Sequence, residues 1–476
     1  MSPNDRRAFL GLVGKSFGVG LAGAAALLSA RKAGAPRAQQ QQLNFIFIHI
    51  DDMGWTDLAC FGSDLYETPN LDRLAEQGVK FTNAYAACTV CSPTRAAVMT
   101  GKYPARLHVT DWIHGHKRPK AKLAIPEWTE YLPLEEVTIA EALKAAGYTT
   151  CHIGKWHLGY EDRWPDKQGF DFNFGGYHRG QPPSYFSPYK IPSLEDGPEG
   201  EYLTDREAAE ACRFIEANKD GPFFLHLPHY AVHTPLQAKQ ELIEKYRAKI
   251  QPGMRHTNPT YAAMVHSVDE AAGRIMAKLD ELGIAERTVI FFTSDNGGLR
   301  PRSTDNGPLR AGKGSAYEGG VRVPLIVRWP GEAKPGAVCD EPVISTDYYP
   351  TILEMAGAEG DPKHNANVDG ESIVRLLRKP DAKLKRDEIY WHYPHYHPGG
   401  ATPYGAIRAR DWKLIEFYED MHVELYNLKQ DIGEKNDLAE KMPKRADRLR
   451  RQLHAWREAV GAQMPTPNPN YDPGED

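Results

Sequence analysis

The chain has 476 residues, 41% of them hydrophobic, enough for one large domain and a smaller one around full-sized cores. A net charge of −5, with no long basic run beyond the N-terminus, excludes a nucleic-acid-binding surface. The six cysteines, Cys60, Cys88, Cys91, Cys151, Cys212 and Cys339, permit disulfides without requiring them, and they lack the second C-x-x-C that a zinc site needs.

Residues 1–38 stand apart. Arg6 and Arg7 precede Phe9 and Leu10 and then a Gly/Ala-rich apolar stretch, with small residues around Ala33–Ala38 offering a cleavage site. The pattern resembles a bacterial twin-arginine export signal, so a periplasmic or extracellular location is expected; an N-terminal anchor is the competing reading. Nothing later is long and apolar enough to span a bilayer.

The first predicted strand lies in "LNFIFIHIDDMG", an apolar run that stops at Asp51 and Asp52, as a buried parallel strand does at its carboxyl end. A helix over 68–77 follows. "CSPTRAAVMTGKYP" then predicts a short helix with Ser92 as N-cap, Pro93 at the first helical position and Gly101 at the exit. Cys91 would stand at the positive end of that helix with Arg95 on its first turn, an anion site containing a reactive atom. A buried, inert thiol is the plainer alternative. A thiolate phosphatase would need a longer loop between cysteine and arginine.

A helix over 136–146 leads to "GYTTCHIGKWHLG", where an extended backbone would turn Lys155 and His157 to one face and Trp156 to the other. "GYHRGQPPSY", with His178 and Arg179, reads either as part of a sugar-and-sulfate pocket or as a loop packing two domains together. A helix over 204–218 precedes "PFFLHLPHYAVHTPL", which delivers His233 beyond a strand. A helix over 260–282 precedes "RTVIFFTSDNGG", a second strand ending in carboxylate and amide, Asp295 and Asn296. "RAGKGSAYEGGVRVP" sets Lys313 between glycines on a loop.

After about residue 376 the charged stretch "LRKPDAKLKRDE" acts as a linker. Beyond it, strands in "EIYWHYPHY", "GAIRARDWKLIEFY" and "VELYNL" and a helix with Leu449, Leu453, Trp456 and Val460 on one stripe predict a small domain over 386–462, beside a catalytic domain over 44–376. His392 and His395 in "YWHYPHYHPGG" are further pocket candidates, again weighed against interdomain packing. The Pro-rich tail 463–476 is expected to be loose.

Alternating strands and helices predict the α/β class: a large, mainly parallel sheet flanked by helices, with a smaller C-terminal antiparallel sheet plus helix and a site at the carboxyl ends of the strands. Asp51, Asp52, Asp295 and Asn296 offer only oxygen, which suits calcium or magnesium rather than zinc. Arg95, Lys155, His157, His233 and Lys313 supply enough positive and proton-donating groups to hold a tetrahedral oxyanion beside a cation.

With "HIDDMG", "CSPTRAAVMTGKYP", "GKWHLG", "VHTPLQ", "SDNGG" and "GKGSAYEGGVRVPLIVRWPG" in this order over residues 46–331, the chain resembles a type I sulfatase of the alkaline phosphatase superfamily, and its C-terminal sheet resembles the family's. Thr94 stands where many members have serine, and Met99 where leucine is usual. The resemblance implies that a maturation enzyme oxidises Cys91 to formylglycine, whose hydrate is a geminal diol. One hydroxyl, bound to a calcium ion held by Asp51, Asp52, Asp295, Asn296 and the residue at position 91, attacks sulfur with help from Asp295. His233 protonates the leaving alcohol, and the second hydroxyl then expels sulfate with base help from His157. Arg95 and Lys155 steady the diol, and Lys155 and Lys313 the sulfate oxygens.

The implied substrate is a sulfated carbohydrate, with galactose and N-acetylgalactosamine sulfates as candidates, or an aryl sulfate. Two other readings stay open: a phosphonate or phosphate ester hydrolase of the same superfamily, and a non-catalytic protein that binds sulfated glycans.

Overall fold

A computed structural model describes residues 42–474, which belong to one compact unit; the segment 1–38 read as an export signal lies outside the described residues. The strands in chain order are β1 Asn44–Ile50, β2 Val79–Tyr85, β3 Leu123–Ala124, β4 Thr149–Ile153, β5 Phe172–Phe174, β6 Phe223–Pro228, β7 Thr288–Ser294, β8 Arg322–Arg328, β9 Ala337–Cys339 and β10 Val343–Ile344. All but β3 join a nine-stranded sheet in the order β10, β2, β8, β7, β1, β6, β4, β5, with β9 also paired to β2. Only β8 runs against its neighbours β2 and β7. The other pairings are parallel.

β1 is central and every residue in it is buried. Its alternating side chains feed two cores: Ile46, Ile48 and Ile50 pack with the helices Pro69–Gln77, Leu203–Ala217 and Pro259–Glu281. Phe45 and Phe47 pack on the opposite face with the helices Ile139–Ala145 and Tyr348–Ala356. The helix expected over 136–146 begins later because Thr138 caps it. The Thr138 hydroxyl accepts from Glu141 N at 3.1 Å, and Glu141 accepts from Thr138 N at 2.8 Å. Asn258 likewise caps the helix Pro259–Glu281, accepting from the amides of Thr260 and Tyr261.

The second sheet is an antiparallel meander of β11 Glu388–Tyr393, β12 Tyr404–Ala409, β13 Trp412–Phe417 and β14 Val423–Asn427. Period-two alternation gives it two apolar faces. Ile407, Leu414 and Leu425 meet Leu449 and Leu453 of the helix Pro443–Ala459, the stripe expected there. Trp391, Tyr393, Tyr404 and Ile415 pack instead on Tyr85, Val90 and Ala97, so this face closes over the helix that begins at Cys91.

In the tail expected to be loose, residues 466–468 are tied to the rest of the fold. Proline excludes helix there and leaves extended chain, and β15 Thr466–Pro467 pairs antiparallel with β3 while Asn468 Nδ2 donates to Pro119 O at 3.0 Å. All six cysteines are free thiols. No helix among the described residues is long and apolar enough to cross a membrane.

Trp391 is the largest side chain between the two sheets: it is 2% exposed, stands edge-on to Tyr85 and donates from Nε1 to Ala86 O at 2.8 Å. Trp391→Ala should therefore cost about 3–5 kcal/mol, the range for truncating a buried aromatic, as read from the urea unfolding midpoint.

Candidate active site

The floor of the site is made where β1 and β7 end side by side. Asp295 N donates to Ile50 O at 3.0 Å, Asp52 N to Asp295 Oδ1 at 3.2 Å and Met53 N to the Ser294 hydroxyl at 3.0 Å. Asp52 turns out of the strand with φ 61°. Asp51, Asp52, Asp295 and Asn296 thus share one buried corner at the carboxyl edge of the sheet.

The helix Cys91–Thr100 runs into this corner and leaves it at Gly101, φ 72°, as expected. Its entry differs from expectation. Val90 is the extended residue before the helix, Cys91 is its first residue, and Ser92 does not cap it. The Ser92 hydroxyl is committed elsewhere: it donates to His157 O at 2.9 Å and accepts from Ile113 N at 3.2 Å. The first turn therefore has no side-chain cap, and its free N–H groups face the site with Cys91.

Lys155 and His157 both reach the site, but strand alternation is not what brings them there. β4 ends at Ile153; Gly154 and His157 take φ values of 108° and 59°, and the chain loops over the sheet edge. A Cβ at Gly154 would lie 2.9 Å from the Pro228 carbonyl carbon, so glycine is required for that approach. Lys155 Nζ donates to Asp51 Oδ2 at 2.7 Å, and Trp156 turns away into the core as expected. His157 Nε2 lies 2.5 Å from Ile113 O and must donate to it, which leaves Nδ1 as an acceptor 3.4 Å from Cys91 Sγ.

Arg95 binds Asp295 Oδ2 through Nε at 2.9 Å and Nη2 at 2.7 Å, and Lys155 O through Nη1 at 2.9 Å. Lys313 Nζ donates to Asp52 Oδ1 at 2.7 Å and Oδ2 at 2.9 Å. His233 Nε2 lies 3.6 Å from Asp52 Oδ2 while Nδ1 donates to Thr234 O at 2.9 Å.

Burial governs the protonation states. It pushes His157 well below the usual imidazole range, with Lys155 adding to the effect, and it pushes His233 down to about 3 against the pull of Asp52. It raises the Cys91 thiol, so Lys155 and Lys313 nearby do not make it a thiolate. At Asp295 the balance reverses: Arg95 and Lys155 outweigh burial and keep the carboxyl ionised, a held carboxylate and a weak base. Asp51 is pushed well above the carboxylate range by burial despite Lys155.

The donor set fits a hard divalent cation. Asp51, Cys91 and Asp295, and again Asp51, Asp52 and His233, bring possible ligand atoms within 4.8 Å of one another. Asp51 Oδ1 and Asn296 Oδ1 are buried without any hydrogen-bond partner, the condition of oxygens built to meet an ion.

The pocket candidates separate. His178 is half-buried beside the site, Arg179 is exposed, and Gly180 packs directly on the His157 ring. His392 is not available to a substrate: it is buried, with Nδ1 on the Tyr418 hydroxyl at 2.7 Å and Nε2 on Gln463 O at 2.8 Å. His395 is fully buried, with Nε2 on the Thr110 hydroxyl at 2.8 Å. The histidine of that segment that reaches Lys313 is His397, whose ring packs on Gly314 and which burial and Lys313 push down to about 4. It lies past the end of β11, where alternation no longer predicts facing.

This constellation, on a mostly parallel sheet with a reversed β8 and a second antiparallel sheet, defines a hydrolase of the alkaline phosphatase-like fold. The chain belongs to the sulfatase family and is a sulfuric ester hydrolase: the family model described as Sulfatase matches residues 43–358, and that of the N-sulphoglucosamine sulphohydrolase C-terminal region matches 312–459. A sulfatase of Formosa agariphila is 34% identical, the match covering 87% of this chain and 89% of that one. The N-acetylgalactosamine-6-sulfatase of Sus scrofa is 36% identical over 83% of this chain and 76% of its own. Among solved structures, Ps i-CgsB in complex with k-i-k-neocarrahexaose superposes with a TM-score of 0.74 at 31% identity, covering 91% of this chain and 96% of that one.

The loop that carries Lys313 is gripped from the second sheet. Lys413 Nζ, fully buried on β13, donates to Glu318 Oε1 at 2.9 Å and lies 3.0 Å from Glu434 Oε1, while Glu434 accepts from Glu318 N at 2.7 Å. Lys413, Arg322 and Arg408 hold the Glu318 carboxyl low against its burial, whereas burial pushes Glu434 up to about 7. A raised folded-state pKa gives stability that is fully present below the ordinary glutamate value and is lost as pH rises through about 7. Glu434→Gln should remove that loss, so its melting temperature should fall less than that of the unmodified protein between pH 5 and pH 8 in scanning calorimetry.

Proposed function

We propose that the protein releases sulfate from a sulfated carbohydrate, and that Cys91 works as formylglycine beside a divalent cation held by Asp51, Asp52, Asp295 and Asn296. The observation that carries this reading is the position of Cys91 Sγ. It stands at an uncapped helix N-terminus, 3.4 Å from a His157 nitrogen free to accept, beside an all-oxygen corner with two buried oxygens that accept no hydrogen bond. The N-acetylgalactosamine-6-sulfatase and the structure with a bound neocarrahexaose support a glycan as substrate class.

Formylglycine supplies, as its hydrate, an oxygen nucleophile in place of a thiol, and the cation, calcium by family resemblance, supplies positive charge for the sulfate oxygens. The side chains divide the remaining work. Lys155 and Lys313 give ammonium N–H donors to the sulfate group, and Arg95 fixes Asp295 and the Lys155 backbone so that both stay in place. His157, its Nε2–H committed to Ile113, accepts a hydrogen bond from the residue at position 91 through Nδ1, the atom that would give base help when sulfate is expelled. His233, its Nδ1–H committed to Thr234, is neutral at rest, so to act as the acid for the departing alcohol its Nε2 must first take up a proton, a charge that Asp52 at 3.6 Å favours. Residues 44–376 would carry this chemistry, with 386–462 bracing it. Export by the N-terminal segment and oxidation of Cys91 by a maturation enzyme would precede it.

Mass spectrometry of the active protein should find the peptide containing residue 91 as aldehyde or hydrate; a fully active sample with only the thiol at Cys91 refutes the modification. His233→Ala should depress kcat about 10²–10⁴-fold on sugar sulfates, whose alcohols need a proton to leave, and much less on aryl sulfates. Equal losses on both classes would assign the acid elsewhere.

A further inference from the structure

On the outer side of His157, three chain segments meet that the sulfate chemistry does not use. The His157 ring donates to Ile113 O and its backbone N–H to Tyr177 O, so the following residues, His114, Tyr160 with its neighbours, and His178 and Arg179, gather at the rim. Tyr160 stacks on His178 with centroids 5.0 Å apart and planes at 25°, and its hydroxyl lies 3.1 Å from His114 Nε2. Despite these neighbours Tyr160 remains 50% exposed. Tyr131, 42% exposed, stands close by, because a Cβ at Gly159 would touch Tyr131 Cβ at 2.9 Å and Arg163 Cβ at 2.8 Å.

A tyrosine held edge and face by two imidazoles, yet left half in water, is a pre-ordered aromatic surface with little side-chain entropy left to lose. The negative face of such a ring accepts the C–H face of a pyranose. Charge adds a second element. Arg179 is exposed and makes no ion pair or hydrogen bond among the described residues; of the nearby acids, Asp162 and Glu130 lie against Arg163 and His114, while Glu161, exposed beside Tyr160, acts on His178. A free guanidinium one residue along from the imidazole on which Tyr160 stacks matches a sugar that carries a sulfate or carboxylate.

We propose that Tyr160, backed by His178, together with Arg179 forms a subsite for the sugar next to the one being desulfated, an anionic pyranose of the same glycan. This rests on the reading of the substrate as a sulfated carbohydrate. The subsite is continuous with the catalytic corner, since Gly180, next to Arg179, packs on the ring whose Nδ1 faces Cys91 Sγ. It makes the enzyme prefer oligosaccharides to monosaccharides without any change in the chemical step.

The test is steady-state kinetics of the matured, metal-loaded enzyme on 4-nitrophenyl sulfate, N-acetylgalactosamine 6-sulfate, galactose 6-sulfate, and hexasaccharides of chondroitin 6-sulfate and of carrageenan. Tyr160→Ala and Arg179→Ala should each raise KM about tenfold or more on the hexasaccharide the enzyme cleaves. They should leave kcat, and both constants on 4-nitrophenyl sulfate, unchanged. Tyr160→Phe should retain the low KM. Chondroitin, whose neighbouring sugar bears a carboxylate, and carrageenan, whose neighbour bears sulfate where present, separate the two anions. A wild-type enzyme that cleaves the hexasaccharide with no lower KM than the monosaccharide, or variants that lose equally on the aryl ester, would overturn the subsite alone. Cleavage of 4-nitrophenyl sulfate with no turnover of any sugar would overturn the glycan reading and the subsite with it.

Discussion

Three carboxylates, Asp51, Asp52 and Asp295, face three cations, Arg95, Lys155 and Lys313, at the carboxyl edge of one sheet, and all but Lys313 are essentially withdrawn from water. Removing one member of a buried pair costs about 3–5 kcal/mol, because the partner is left charged and dry. The cluster is therefore tolerable only if every member is held at hydrogen-bonding distance at once. No local structure can do that, because the six come from five separate stretches of chain. The parallel sheet does it by ending β1 and β7 in register, so that Asp51 and Asp295 are fixed by backbone bonds and the Asp52 amide is tied to the Asp295 carboxylate.

The cations need other anchors. Arg95 rides on a helix whose apolar residues Ala96, Val98 and Met99 lock it into the core, while its guanidinium spans Asp295 and the Lys155 carbonyl. Lys313 has the weakest local support, a loop between glycines, and it is there that the second sheet intervenes. Lys413 and Glu434 seize Glu318, five residues further on, in another buried charged set. Arg310 donates to Tyr426 Oη and Glu434 O from the other end of the same loop. The C-terminal sheet thus steadies a residue of the site from behind as well as covering apolar surface.

The sheet, the principal helices and the corner of acids were legible because each has a strong periodic or compositional signal: an apolar run such as Phe45–Ile50 that stops at two aspartates is the pattern of a buried strand reaching the sheet edge. What was not legible depended on contacts across the fold. Ser92 has every local qualification for an N-cap, but its hydroxyl is drawn to His157 O and Ile113 N. Lys155 and His157 were expected together for a reason that fails, since positive φ at Gly154 and His157 breaks the alternation and a different loop path restores the outcome. Composition marks the whole segment that holds His392, His395 and His397, while only the end of β11 decides which ring turns inward. Tyr160 carried no signal, since an exposed tyrosine is ordinary until its neighbours are known.

The state of Cys91 follows from the same electrostatics. A thiol working as such would need to ionise, and a helix N-terminus with two lysines in range is the setting that usually achieves this. Here burial wins and the thiol is pushed up, with Asp51 and Asp295 opposing those lysines, and among the described residues only His157 Nδ1 is close enough to bond the sulfur. His157 does not take the proton readily either, since burial and Lys155 disfavour its charged form. An unmodified Cys91 is thus a neutral thiol in a site organised for negative oxygen, with hard ligands on one side and ammonium groups on the other. The proposed conversion of Cys91 would remove that mismatch by putting oxygen in the place of sulfur.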